Sequence, residues 1–227
     1  MTVRCLLRVA VAALVVAAAT MPRAEETAGK PHKPSYHDFR RDMFALSKVR
    51  SAAIVMLGDS ITEAAPWDEL TGCRSIVNRG IGGDTTAGVL ARLDDVVKLQ
   101  PRALFLMIGV NDVGLGVPRE RTVENFRRIL ERLDAASVRT FVTYVLPVAK
   151  NYAKWRNNES ITTLNAAIAG LIAGRPNITG LDLGPLVRDG DGFLREDLSF
   201  DGLHPNAKGY AVWRDAIAGE VTAFCAP

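Results

Sequence analysis

Short apolar runs alternate along this chain with longer stretches in which apolar residues recur every three or four positions. The runs Ala53–Leu57, Ser75–Asn78, Ala103–Ile108, Thr140–Leu146 and Ile178–Leu183 read as strands, since an unbroken apolar run bounded by glycine, proline or polar residues suits burial on both faces. The stretches Tyr36–Lys48, Thr86–Val97, Val123–Ala136, Glu159–Ala173 and Ala207–Phe224 carry helical periodicity. Thr122 is placed to cap the third of these, whose Phe126, Ile129, Leu130 and Leu133 share one face. Pro205 opens the last, in which Trp213 reads as core packing. Strand and helix in alternation predict an α/β domain of three layers, α/β/α, around a five-stranded parallel sheet. No internal repeat and no second domain interrupts the pattern.

The first residues follow a different pattern. Arg4 and Arg8 precede an apolar stretch from Val9 to Ala19, and small residues then lead to Glu25-Glu26, which is the order of a secretory signal peptide and short for a membrane span. Residues 1–24 are expected to be removed, by cleavage after Ala19 or after Ala24, with an uncleaved anchor as the alternative. Residues 25–35 then form a polar connector and residues 36–227 a single domain. The product is expected outside the cytoplasm, periplasmic or secreted, with no membrane span retained.

Charge and cysteine content change with that cut. The formal net charge of +3 includes Arg4, Arg8 and Arg23, while the leader holds no acid, so the processed chain is neutral. It has no concentrated basic face, and a nucleic-acid partner is therefore not expected. Cys5 leaves with the leader, and Cys73 and Cys225 remain. If the last helix starts at the top of the sheet, its far end lies near the start of the second strand, within reach of Cys73. A disulfide and two free buried thiols are both open at this stage.

Chemistry concentrates at strand ends. Ser60, in Gly58-Asp59-Ser60-Ile61-Thr62, follows the first strand directly, where open parallel sheets place their ligands. A serine attacks only when a base takes its proton. Of the histidines, His32 and His37 lie before the first strand, whereas His204 lies in Asp201-Gly202-Leu203-His204-Pro205 with a carboxylate three residues away. Asp201 can hold one ring nitrogen while the other faces the serine.

Acyl transfer also needs donors for the oxyanion. The turn Asn78-Arg79-Gly80-Ile81-Gly82-Gly83-Asp84-Thr85-Thr86 follows the second strand, and its glycines can present backbone N–H groups. Gly109-Val110-Asn111-Asp112 follows the third strand and offers the Asn111 amide. Each stretch alone has a bland reading as a turn or a cap. Four of them at successive strand-to-helix junctions converge on one edge of a sheet.

These blocks resemble the SGNH (GDSL) hydrolase family, and the Gly-Ile-Gly-Gly-Asp-Thr-Thr wording resembles the platelet-activating-factor acetylhydrolase catalytic-subunit branch and bacterial carbohydrate esterases. The resemblance runs from Ala53 to the last helix. It implies a flavodoxin-like fold, with Ser60 as nucleophile, His204 as general base and then acid, and Asp201 orienting His204. Oxyanion donors would be the N–H groups of Ser60 and Gly83 and the side chain of Asn111, with Gly82 the competitor for Gly83. It implies no cofactor and no metal, and a small-molecule or glycan ester as substrate. Asp59 and Asp84 are read as shaping loops through backbone hydrogen bonds, and Arg79 as solvated, with contact to an acidic substrate as the alternative. Tyr152 and Trp155 either anchor their loop or offer a sugar platform.

Other readings have less to carry them. Thr85 stands where the third glycine of a dinucleotide fingerprint belongs, and Thr62 breaks the Gly-x-Ser-x-Gly elbow. A metal phosphoesterase would need more ligands than one downstream histidine and scattered carboxylates. The leading expectation is an exported serine esterase for short acyl groups, acetyl foremost, on a carbohydrate or lipid-like alcohol. An O-acyltransferase acting on a glycan and a non-catalytic sugar-binding module are the alternatives.

Overall fold

The computed structural model describes residues 35–154 and 156–225. The expected leader with Cys5, as well as His32 and Trp155, lies outside the described residues. Residues Pro34–Pro227 form one compact unit. In chain order its first elements are α1 (Tyr36–Leu46), β1 (Ile54–Gly58), α2 (Ser60–Glu63), α3 (Trp67–Thr71), β2 (Ile76–Gly80) and α4 (Thr86–Val97). There follow β3 (Ala103–Met107), α5 (Val110–Gly114), α6 (Arg119–Ala135), β4 (Arg139–Thr143) and α7 (Asn158–Ile172). The chain ends with β5 (Ile178–Leu181), α8 (Gly184–Val187), a 3-10 turn at Glu196–Leu198, α9 (Ala207–Ala216) and α10 (Ala218–Cys225).

All five strands run parallel in the order β2-β1-β3-β4-β5, with Val55 of β1 opposite both Val77 of β2 and Leu104 of β3. Every residue of β1 and β3 is buried, which is why these segments are continuously apolar and do not alternate. α4, α6 and α7 pack as one helical set and α3, α9 and α10 as another, giving the expected α/β architecture. The chain passes from β1 outward to β2 and then back across β1 to β3. Strand order therefore reverses between β1 and β3, and the crevice at their carboxyl ends is where such sheets bind ligands. Among the described residues, no helix is long and apolar enough to cross a membrane.

Core packing follows the helical faces expected from the sequence. Phe126, Ile129, Leu130 and Leu133 of α6 are buried, and Phe105 stacks on Phe141 at 4.8 Å. Trp213 meets Trp67 edge-on at 4.9 Å, so it packs in the core as expected. α1 is different. A Ser35–Asp38 capping box starts it, yet it has no buried residue, and Phe39, Met43 and Leu46 are exposed.

Several boundaries differ from expectation, each for a local reason. The fourth strand stops at Thr143 and not Leu146, because the Asn165 amide takes both the N–H and the C=O of Val145, at 2.9 Å each. Asn158 does the same for Val148, so side chains replace the ladder there. α6 begins at Arg119, after Pro118, and Thr122 sits buried within its first turn instead of capping it. The last helix is two, broken at Ile217, and Asn206 rather than Pro205 caps its start by accepting from the Lys208 and Gly209 N–H groups.

Cys73 and Cys225 form a disulfide with their Cα atoms 5.8 Å apart. The end of α10 does return to the start of β2, as the chain path allowed. Closing a loop with a sequence separation of 152 removes unfolded-chain entropy corresponding to about 5 kcal/mol. Protein lacking residues 1–24, denatured without reductant, is expected to show no titratable thiol, and reduction is expected to lower its Tm. Two titrating thiols would exclude the bridge.

Candidate active site

Ser60 is the first residue of α2, separated from the end of β1 by Asp59 alone. Asp59 caps this short helix by accepting the Ile61 N–H at 3.0 Å. That cap turns the Asp59 carboxylate into the protein and leaves Ser60 facing the crevice, where its Oγ lies 2.9 Å from His204 Nε2. The two residues are 144 positions apart in sequence.

His204 is positioned from the loop before α9. Asp201 Oδ2 lies 2.7 Å from Nδ1, while Asp201 Oδ1 accepts the N–H groups of Leu203 and His204 at 2.8 Å each. Burial pushes the Asp201 carboxyl up, but the bonds from His204 and Leu203 outweigh it and hold the carboxyl below its ordinary range. An ionised Asp201 keeps the proton of neutral imidazole on Nδ1. Nε2 is then free to accept from the Ser60 hydroxyl. Phe200, 72% exposed, stacks on the other side of the arrangement, with its ring 5.6 Å from that of His204.

The glycine turn after β2 separates Gly83, the expected donor, from its competitor Gly82. Gly82 donates its N–H to Glu63 Oε2 at 2.6 Å. Gly83, at φ +76°, makes no N–H bond among the described residues, and its positive φ suits glycine. The Ser60 N–H, in the first turn of a helix, has no intrahelical carbonyl in reach. Asn111 is buried, and its Nδ2 donates to Asp84 O at 2.9 Å, leaving a second amide hydrogen. Arg156 Nη2 donates to Asn111 Oδ1 at 3.0 Å and so fixes which end of the amide is the donor.

The flanking acids and arginines differ in part from their expected roles. Asp84 accepts the Thr85 N–H, as a loop-shaping residue should, but its other oxygen forms a buried ion pair with Arg92 Nε at 2.8 Å. Arg92 also donates to Arg79 O and Gly58 O, at 2.8 and 3.1 Å. His37, set aside on the sequence, brings Nε2 within 3.2 Å of Asp84 Oδ1. Arg79 is not solvated: it is buried, held there by the Phe44 ring and by Asn78 O. Tyr152 packs against the core and under Arg156, which favours loop anchoring.

Arg92, Arg156, Glu63 and Asn78 were not singled out from the sequence. Arg92 alone had a signal, since it interrupts the apolar face formed by Val89, Leu93 and Val96. Asn78 clamps α2 by donating to Thr62, Glu63 and Ala65 carbonyls, at 3.0 Å each. Among the described residues, no group of three or more His, Cys, Asp or Glu side chains is arranged to hold a metal ion.

Residues 56–212 match the model of the GDSL-like Lipase/Acylhydrolase family. The chain belongs to this family. This GDSL-type acylhydrolase is 27% identical over 183 residues to platelet-activating factor acetylhydrolase IB subunit alpha1 of Homo sapiens, covering 77% of this chain and 76% of that one. It is 28% identical over 166 residues to thioesterase 1/protease 1/lysophospholipase L1 of Escherichia coli strain K12, covering 67% and 75%. A GDSL-like lipase from Bacteroides thetaiotaomicron shares its fold, with a TM-score of 0.70 at 24% identity over 83% of this chain and 99% of that one.

Asp59 gives this acylhydrolase a built-in acid dependence of stability. Burial is the main cause that raises its carboxyl to about 7 from 3.8, opposed by the Ile61 N–H and reinforced by the nearby Asp84 charge. The folded chain thus holds a proton there that the unfolded chain releases, so this contribution to stability falls as pH rises between about 4 and 7. Asp59→Asn keeps the cap and removes the charge. It is expected to be more stable than wild type near pH 8, by up to about 4 kcal/mol, with the difference vanishing toward pH 4 in urea melts.

Proposed function

We propose that this acylhydrolase is an exported serine esterase that removes short acyl groups, acetyl foremost, from a carbohydrate or lipid-like alcohol. The observation that carries the reading is the unbroken chain Ser60 Oγ, His204 Nε2, His204 Nδ1, Asp201 Oδ2, at 2.9 and 2.7 Å, beside an N–H of Gly83 without a partner among the described residues. The export reading rests on the residue order of positions 1–24. Short acyl specificity is supported by the links that carry the nucleophile and the oxyanion donors: Asp59 after β1, residues 81–85 after β2 and residues 108–109 after β3 leave little chain there for a long acyl tunnel. The longer stretches after β4 and β5 are occupied in placing Arg156 and the Asp201–His204 pair. The human relative's name, which specifies acetyl hydrolysis, agrees with it.

In this mechanism Ser60 Oγ attacks the ester carbonyl as its proton passes to His204 Nε2. Asp201 stabilises the imidazolium that forms. Charge on the carbonyl oxygen meets the N–H groups of Ser60 and Gly83 and the free hydrogen of Asn111. Collapse expels the alcohol, which takes the proton from Nε2, and leaves an acyl-serine. Water, deprotonated by His204, repeats the sequence and releases the acid.

Hydrolysis of p-nitrophenyl acetate is expected in wild type and lost in Ser60→Ala. Asn111→Ala should lower turnover by roughly 10²- to 10³-fold, and Arg156→Ala by less, since it only orients that amide. Activity should fall on acidification, because an imidazolium cannot accept the serine proton. Equal rates in all variants, or no acidic fall, would contradict the assignment. With an acyl donor and a glycan present, free acid as product supports hydrolysis, and acylated glycan would assign transfer instead.

A further inference from the structure

A cavity of about 310 Å³ lies between α1 and α4, lined by residues that do not touch the serine site, although one of them, Arg92, braces that site from behind. Arg92 and Arg79, both buried, line it. Arg79 is the one without a carboxylate partner. The side chain is 8% exposed, its Nη1 donates to Asn78 O at 3.0 Å, and its guanidinium lies 4.6 Å from the Phe44 ring centre. Among the described residues it forms no ion pair. Of the other basic groups around the cavity, Arg92 is matched by Asp84, and Lys98 by Asp95 at 2.9 Å.

Arg41 and Arg50 line the same cavity and also form no ion pair among the described residues. Burial pulls the Arg79 pKa below its ordinary value, and the charges of Arg92 and Arg40 pull in the same direction. A cation taken out of water and surrounded by like charges is unfavourable unless an anion joins it. A guanidinium offers a planar fork of donors that matches an oxyanion, and here one donor is used by a backbone carbonyl. Phe44, Val96 and Leu99 supply an apolar part of the wall, and the one carboxylate among its described residues, Asp95, is paired with Lys98. The cavity volume falls at the lower end of the range that small ligands occupy.

We propose that this cavity is a second ligand site, separate from the serine site, which binds a small amphiphilic oxyanion with its carboxylate or phosphate on Arg79 and Arg41 and its alkyl part against Phe44, Val96 and Leu99. The inference does not depend on the esterase reading. Ionic strength weakens the binding, because the exposed Arg41 and Arg50 contribute through a screened field.

Calorimetric titration with octanoate tests it, with octanol as the uncharged control and octyl phosphate as the second headgroup. Octanoate or octyl phosphate is expected to bind wild type and Ser60→Ala equally, and octanol at least about tenfold more weakly. Arg79→Met should weaken the anion by about tenfold or more, and Arg41→Gln by a smaller factor. Arg41 is an exposed helix position, so Arg41→Gln carries the test alone if Arg79→Met does not fold; its melting temperature and ester hydrolysis should match wild type. No anion binding to wild type, octanol binding as tight as octanoate, or unchanged anion affinity in the arginine variants would each overturn the proposal.

Discussion

One buried side chain ties the reactive edge of this protein together. Arg92 donates to Gly58 O at the end of β1, to Arg79 O near the end of β2, and to the carboxylate of Asp84 in the glycine turn. Asp84 O in turn accepts the Asn111 amide that follows β3. Three strand ends thus share one hydrogen-bonded network, in which every charge is desolvated. Such a pair contributes little net stability over apolar packing, but loss of one partner leaves a buried charge uncompensated. Its consequence is geometric. The Ser60, Gly83 and Asn111 donors cannot drift apart without breaking bonds in the interior.

The sheet order makes that network useful. Because the order reverses between β1 and β3, the helices that follow these strands leave on diverging paths, and a crevice opens between the strand ends. Ser60 and Asn111 flank it, and the loop before α9 brings His204 across from the far end of the chain. The same arrangement explains why the Asp59 carboxylate is buried next to Ser60 without pointing into the crevice. As cap of α2 it turns inward, and Tyr210 holds the helix from the other side by donating to Ile61 O at 2.7 Å.

The strand and helix faces were legible because burial imposes a period on each segment alone. Val55, Leu104 and Phe126 sit where their runs placed them. Boundaries were less legible where a distant side chain intervened. Asn165 ends β4 by capturing Val145, and nothing near Val145 in sequence announces it. The reading of Arg79 as solvated was wrong for a similar reason: the residues that bury it include Phe44 of α1, far back along the chain.

The amino-acid order by itself determined the parallel α/β class, the four motif-bearing junctions and the placing of Asp201 beside His204, since periodicity and short-range spacing record those directly; that Ser60 meets His204 followed from both lying at such junctions. Tertiary structure supplied the physical reason why Gly83 and not Gly82 has no N–H bond among the described residues, since Glu63 reaches the latter from another element. It decided that Cys73 and Cys225 are joined, and that Arg79 faces a cavity without a counter-ion among the described residues. Those outcomes depend on partners brought together from remote parts of the chain. Local pattern cannot encode which of several chemically equal groups a folded neighbour will claim.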